Sequence, residues 1–145
     1  MHPYPHVYTA AANGKADGAV LISSPGLPEV AKAAPPEFDG PGGMWSPEAL
    51  LCASLADCFV LSFRAIARAS RFEWSALSSR VEGVLERVDG IAQFSRYTTF
   101  PRLEVSAAAD VERARKLLEK ADHACLISNS VRGDRNLVVE ILATG

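Results

Sequence analysis

A long, almost uninterrupted run of apolar and small residues occupies the middle of this chain. From Ala49 to Ala69 the only charged residues are Asp57, Arg64 and Arg68. A helix that is apolar on nearly every side needs neighbours on more than one side. A domain of this size rarely surrounds a whole helix by itself, so the run predicts a contact between subunits, that is, a homodimer.

The residues just before this run predict where the helix begins. Ser46 is a good N-cap, and Pro47 suits the first helical position because its missing N–H would have no partner there. Glu48 then favours the positive end of the helix dipole. The apolar stretch from Ala49 to Phe63 is interrupted by Asp57 and is too short to cross a bilayer, so no membrane association is expected.

Length and charge restrict the function further. A chain of 145 residues fits one domain, residues 1–145, with a real core. Its 17 acidic and 15 basic residues nearly cancel, which gives no indication of a nucleic-acid partner. The N-terminus lacks the basic and apolar regions of a signal peptide, so we expect a cytoplasmic protein with reduced thiols. A disulfide in it would then be a catalytic intermediate.

Periodicity and turn residues predict an order of strands and helices. The hairpin turn Asp89-Gly90 joins two long strands, and Asp110 is positioned to cap a second, amphipathic helix. A Pro/Gly-rich loop from Ala34 to Gly43 leads into the first helix, and Gly133 marks a break. The predicted strands are Tyr4–Ala12, Gly18–Ser23, Leu27–Lys32, Trp74–Val88, Ile91–Val105 and Asn136–Ala143, with a further short helix at Leu126–Val131.

Two cysteines carry most of the chemical information. Cys58 and Cys125 are far apart in sequence, yet each lies in a helical setting, which indicates thiols brought together by folding rather than a CxxC motif. Two alternatives stay open: Cys58 as an inert core thiol, and Cys125 without a role. Cys52 precedes Cys58 by six residues, about 120° around a helix and about 9 Å along it, so it cannot pair with Cys58 and is interpreted as a packing residue.

Other kinds of site find little support. The cysteines show no CxxC spacing that could join His2, His6 and His123 in a metal site, so neither a metal nor an organic cofactor is expected. Ser128 and Ser130 lack the GxSxG context of a hydrolase nucleophile.

The element order, Ser46-Pro47-Glu48, Cys58-Phe59 and the string from Cys125 to Ser130 together resemble the OsmC/Ohr family. The resemblance implies an intertwined α+β homodimer with antiparallel sheets wrapped around long central helices. It also implies thiol-dependent reduction of hydroperoxides, organic ones especially. Cys58 would become a sulfenic acid and Cys125 would resolve it as a disulfide. The proline usual after the second cysteine is Leu126 here.

By the same resemblance, Glu48 holds an arginine that stabilises the thiolate. Ten helical residues separate Glu48 from Cys58 by about 15 Å, so the two meet only if antiparallel helices of two subunits pair. The family arginine lies in the N-terminal hairpin, where this chain has Lys15, a charge without the bidentate fork. Substitutes elsewhere are Arg64, Arg68 or Arg96. Alternatively, Glu48 is only a first-turn charge favouring the helix dipole.

Two rival functions remain. One is a stress-associated binding scaffold whose thiols oxidise slowly and without turnover, which the missing hairpin arginine favours. The other is a thiol-dependent enzyme acting on a different electrophile. The sequence leaves the preferred peroxide open, and also the reductant, whether a lipoyl protein, thioredoxin or a small thiol.

Overall fold

Three short strands form an antiparallel sheet near the N-terminus of the computed structural model, which describes residues 1–145. The strand predicted at Tyr4–Ala12 begins only at Ala11 and ends at Asn13. Residues 1–10 are exposed and form no strand. Pro5 within that stretch has no N–H to give to a sheet. The sheet order is β1-β2-β3, with β1 at Ala11–Asn13, β2 at Val20–Ser23 and β3 at Val30–Lys32.

This sheet belongs to the first of two compact units, residues 1–51, and the second unit comprises residues 52–145. The boundary between them falls inside one continuous helix. The prediction of a single domain over residues 1–145 therefore stays a prediction. Within the first unit, the Pro/Gly-rich loop contains one 3₁₀ turn, Pro36–Phe38.

The long apolar helix, α1, spans Pro47–Ala69, so the predicted helix is confirmed. Ser46 caps it as expected, since its Oγ accepts a hydrogen bond from the backbone N–H of Ala49 at 3.1 Å. The apolar stretch Ala49 to Phe63 is too short to cross a bilayer, but α1 as a whole has 23 residues. By length and composition alone, α1 would be long and apolar enough to cross a membrane. Core helices of soluble proteins satisfy the same criterion, so this is weak evidence for a membrane span.

One stripe of α1 is buried within the chain and the rest is not. The stripe consists of Leu55, Cys58, Phe59, Phe63 and Ala67, at the three- and four-residue spacing of a helix face. In the most apolar 18-residue window of α1, only 17 % of the residues are buried. Much of its apolar surface therefore has no cover from its own chain.

The second unit is built on a long hairpin. β4 spans Ala76–Val88 and β5 spans Ile91–Val105, and they pair antiparallel. The predicted turn is confirmed, because Asp89 and Gly90 both have positive φ, as a tight hairpin turn requires.

The C-terminal strand differs from its prediction. Asn136–Ala143 was expected to be one strand, but the chain forms β6 at Asp134–Leu137 and β7 at Glu140–Ala143. Both run parallel to β5. In the common register the interruption lies opposite Pro101, which has no N–H to contribute to the ladder.

A second helix, α2, spans Val111–Ala124 and buries the predicted apolar face against the sheet. Asp110 stands at its N-terminus, but its side chain makes no capping hydrogen bond, so that part of the prediction is wrong. A 3₁₀ turn at residues 108–110 already leads the backbone into α2. The core of this unit combines residues of α1, β5 and α2, among them Phe59, Phe63, Leu103, Val105, Leu118 and Ala121.

Candidate active site

Folding brings two cysteines from distant segments close together. Cys58 lies on the buried stripe of α1 with 9 % of its surface exposed. Cys125 follows directly after α2, where the backbone turns extended, and it is fully buried. Both thiols are free, and the Cys58 thiol is close enough to raise the pKa of Cys125 through a hydrogen bond and its charge. Their proximity is a feature of the fold.

The surroundings of Cys125 favour the protonated thiol. Burial is the largest cause and raises its pKa, and Cys58 raises it further. Ser128 acts in the opposite direction, because its hydroxyl donates to the Cys125 sulfur at 3.3 Å and its backbone N–H also donates. The net shift of the Cys125 pKa is upward, because desolvation outweighs the two donors of Ser128.

Cys58 has different neighbours along its own helix. The hydroxyl of Ser62, one turn further on, lies 3.9 Å from the Cys58 sulfur. Leu55, one turn earlier, and Phe59 are both buried. The thiol is thus held in an apolar stripe with one hydroxyl in reach.

The third thiol, Cys52, lies against the sheet instead. Its sulfur sits beside Gly83 of β4, where a Cβ would lie 3.0 Å from that sulfur and 2.8 Å from the ring of Phe94. Burial raises the pKa of Cys52, and the backbone of Gly83 partly offsets this. Gly83 leaves the room that the thiol and the ring occupy, which agrees with the interpretation of Cys52 as a packing residue.

Glu48 lies in the first turn of α1 and is half-buried. Its Oε2 is buried and has no hydrogen-bond partner. A buried carboxylate oxygen without a partner costs free energy, so such atoms are rare in folded proteins. Because α1 is continuous from Glu48 to Cys58, the two residues stay about 15 Å apart along the axis within one chain.

No cation of this chain pairs with Glu48. Lys15 is exposed in the turn between β1 and β2 and forms no ion pair. Arg64 and Arg68 on α1 and Arg96 on β5 are exposed and equally unpaired.

Two concave spaces lie in the second unit. A cavity of about 10 Å³, at the lower limit for one water molecule, borders Leu55 and Ser128, the neighbours of Cys58 and Cys125. An open groove of about 370 Å³ is lined by Ile91, Gln93, Phe94, Tyr97, Val131 and Arg132. Tyr97 and Val131 border both spaces. The sequence did not single out Tyr97, because an aromatic residue in a strand is ordinary core.

Sequence comparison decides the family. The sequence profile of the OsmC family, described as OsmC-like protein, matches residues 40–140, about two thirds of the chain. The chain belongs to the OsmC family. The range that matches the OsmC profile contains Glu48, Cys58 and Cys125, whereas Lys15 lies outside it.

Relatives and solved structures agree with OsmC membership. The uncharacterized protein YmaD of Bacillus subtilis is 29 % identical over 109 residues, which cover 73 % of each chain. An OsmC-like protein of unknown function from Vibrio cholerae is similar in structure, with a TM-score of 0.83 at 18 % identity, over 93 % of this chain and 99 % of that one. An organic hydroperoxide resistance protein OsmC from Legionella pneumophila has a TM-score of 0.75 at 25 % identity, over 97 % and 99 % of the two chains. The α+β fold is therefore that of OsmC-like proteins.

Proposed function

We propose that this OsmC family protein reduces organic hydroperoxides, with Cys58 as the attacking thiol and Cys125 as the thiol that resolves the product. The observation that carries the proposal is the proximity of these two free thiols. The Legionella pneumophila relative, an organic hydroperoxide resistance protein, supports the same peroxide-related redox role.

The reaction has two steps. The Cys58 thiolate attacks the terminal oxygen of ROOH, the O–O bond breaks, and ROH leaves after taking up a proton, with Cys58 oxidised to a sulfenic acid. Cys125 then attacks the Cys58 sulfur. An S–S bond forms, the S–O bond breaks, and the hydroxyl leaves as water with the proton of Cys125. An external dithiol returns both cysteines to thiols by exchange.

The two thiols are suited to different steps. The nucleophile in the first step is a thiolate, and the raised pKa of Cys125 makes it the poorer candidate. In the second step, a thiol close to the Cys58 sulfenic acid attacks its sulfur, and Cys125 is such a thiol. No metal or organic cofactor takes part. The reductant is a lipoyl protein, thioredoxin or a small thiol in the cytoplasm.

Glu48 joins the site through a second subunit. Antiparallel pairing of two α1 helices would cover the apolar surface that one chain leaves open and bring Glu48 of the partner subunit near Cys58. The unpartnered Oε2 of Glu48 supports a cation at this point. Lys15 is the charge in the hairpin region where the family has arginine, and Arg64, Arg68 and Arg96 are the substitutes.

A binding scaffold with slowly oxidised thiols is the second candidate, favoured by the lack of any cation paired with Glu48. Reduced protein should be mixed with cumene or tert-butyl hydroperoxide and an excess of dithiol, while peroxide and free thiols are measured together. The proposed function predicts many turnovers per subunit. Consumption that stops at one equivalent would instead favour the scaffold.

Dimerisation is a first prediction. Sedimentation at micromolar concentration should give twice the chain mass, because the apolar surface of α1 is too large to leave exposed. Leu61 on α1 is 51 % exposed in the single chain, so Leu61→Arg should dissociate the dimer. Ile91, 64 % exposed at the hairpin tip, provides the control, and Ile91→Arg should stay dimeric. A well-folded wild-type monomer would contradict the shared site as well.

Sharing of the site is a second prediction. In a heterodimer of a Glu48→Gln chain with a Cys58→Ser chain, one shared site carries both changes and the other carries neither, so about half of the wild-type activity should remain. If each site lies within one chain, both sites are impaired. The comparison requires that the Glu48→Gln homodimer be nearly inactive. An active Glu48→Gln homodimer would show that Glu48 serves only the helix dipole.

A further inference from the structure

The turn that carries Cys125 is held by an arginine from another element. After α2 ends at Ala124, the backbone leaves the helix at Cys125 and enters a 3₁₀ turn at Ser128–Ser130. Within this segment the backbone N–H of Asn129 donates to the carbonyl of Cys125 at 3.0 Å. The backbone N–H of Ser130 also donates to the carbonyl of Ile127 at 3.0 Å, and its hydroxyl donates to the carbonyl of Leu126 at 2.7 Å. These bonds lie within the turn, so contacts from other elements are needed to fix its position relative to the sheet.

Arg135 of β6 supplies these contacts on both sides of Cys125. Its Nη2 donates to the carbonyl oxygen of Asp122 at 2.6 Å and lies 3.6 Å from the Asp122 carboxylate. Its Nη1 donates to the Oδ1 of Asn129 at 2.9 Å. One guanidinium therefore connects a residue three positions before Cys125 with a residue four positions after it.

Asn129 extends this connection back to the end of α2. Its Nδ2 donates to the carbonyl of His123 at 3.1 Å while its Oδ1 accepts from Arg135. Both ends of the amide are thus used. Arg135, Asp122, Asn129 and the His123 carbonyl form a closed set of contacts around the Cys125 turn, which we call the Arg135 clamp.

The Arg135–Asp122 ion pair is less exposed to solvent than the other ion pairs of the protein, whereas Asn129 is exposed. The side chains of Arg135 and Asp122 are 30 % and 21 % exposed, whereas every other ion pair contains an arginine at least 51 % exposed. Arg135 pairs in register with Tyr97 of β5, the strand at the centre of the sheet. Gly133, at a φ of 112°, makes the approach possible, because a Cβ there would meet the Ser95 carbonyl at 2.9 Å.

We propose that Arg135 is a positioning residue for the resolving step: it holds the Cys125 turn so that the thiol stays beside Cys58 after Cys58 has been oxidised. This inference rests on the proposed function and adds a residue to it. Arg135 does not touch the reacting atoms. It acts by keeping the S–S bond-forming distance short while the S–O bond of the sulfenic acid breaks and water leaves.

Arg135→Gln removes the charge and the fork. We expect the initial oxidation of Cys58 to stay within about twofold of wild type, while disulfide formation slows by about tenfold to a hundredfold, since small displacements of a reacting group have effects of that size. Arg135→Lys should not restore the rate, because an ammonium cannot bond Asp122 and Asn129 as a fork does. Arg102→Gln, which removes another ion-paired arginine of the sheet, is the matched control and should behave as wild type.

Two readouts separate this inference from the proposed function. In the first readout, diamide replaces the hydroperoxide as the oxidant. One thiol adds to diamide, and the second thiol must then displace the adduct to form the disulfide. The other readout is iodoacetamide alkylation of Cys125 as the only thiol, in a Cys52→Ser, Cys58→Ser background, where Arg135→Gln should raise the rate about tenfold by loosening the turn. Asn129→Ala breaks one arm of the clamp and should change both rates in the same direction. It serves as the second variant in case Arg135→Gln folds poorly.

Wild-type rates of resolution and alkylation in both Arg135→Gln and Asn129→Ala would overturn the inference. An Arg135→Gln protein whose first oxidation slows as much as its resolution would also overturn it, since the effect would then concern the whole fold. If the wild type consumes no hydroperoxide but Arg135→Gln still slows diamide-driven disulfide formation, the clamp stands and the proposed function fails.

Discussion

Replacing Cys58 with serine is expected to abolish hydroperoxide consumption, with a loss on the order of a thousandfold or more. A serine hydroxyl at neutral pH is far less nucleophilic than a thiolate and forms no sulfenic acid. Peroxide loss should be measured with excess dithiol in wild type, Cys58→Ser and Cys52→Ser. The Cys52 variant is the matched control, because it removes a thiol from the same helix six residues away.

A Cys58→Ser protein that still turns over hydroperoxide would exclude Cys58 as the attacking thiol. A Cys52→Ser protein with the same loss would assign chemistry to the thiol that we place against Gly83. Either result would require a different pair of residues for the reaction.

Replacing Cys125 with serine should separate the two steps. The first oxidation of Cys58 should proceed within about twofold of the wild-type rate, because Cys125 takes no part in it, and steady turnover should then be lost. The Cys58 sulfenic acid would persist, react with dimedone, and oxidise further to sulfinic acid as peroxide is added. Mass spectrometry of the Cys58 peptide measures each of these products.

The reverse outcome is equally informative. If Cys125→Ser loses the first, stoichiometric oxidation while Cys58→Ser keeps it, the roles of the two thiols are exchanged. The raised pKa of Cys125 argues against that exchange, since a buried thiol that holds its proton is a slow first nucleophile.

Capping and turn residues predicted those elements whose backbone conformation is determined by neighbouring residues. The cap at Ser46 and the proline after it mark the start of α1, and the turn Asp89-Gly90 defines the hairpin, whose second strand has the predicted bounds Ile91–Val105. In each case neighbouring residues determine the backbone conformation. Asp110 shows the limit of such signals, because a preceding 3₁₀ turn replaces the side-chain cap that its position suggests.

Features that depend on distant pairing were not predictable in the same way. The split into β6 and β7 reflects parallel pairing with β5 and the missing N–H of Pro101, neither of which appears in the periodicity of residues 136–143. Arg135 joins the Cys125 turn only because β6 lies beside β5. The sequence offered no signal for it.

The candidate site was predicted in part. Two helical settings indicated that folding brings Cys58 and Cys125 together, and the Cys58 thiol is close enough to raise the pKa of Cys125. Their chemical roles stay a prediction. The direction of the Cys125 pKa was not predictable, because it depends on how much of the thiol the fold removes from water. The partner of Glu48 was not predictable either, since no cation of the same chain pairs with it.

The most direct measurement of the central claim is a peptide map after one equivalent of organic hydroperoxide. Reduced protein should be treated without added dithiol, the remaining thiols blocked with iodoacetamide, and the digest analysed without reduction. The proposed chemistry predicts one linked pair of peptides, containing Cys58 and Cys125, and an alkylated Cys52. A disulfide that contains Cys52, or peroxide left unconsumed beside three alkylated cysteines, would contradict it.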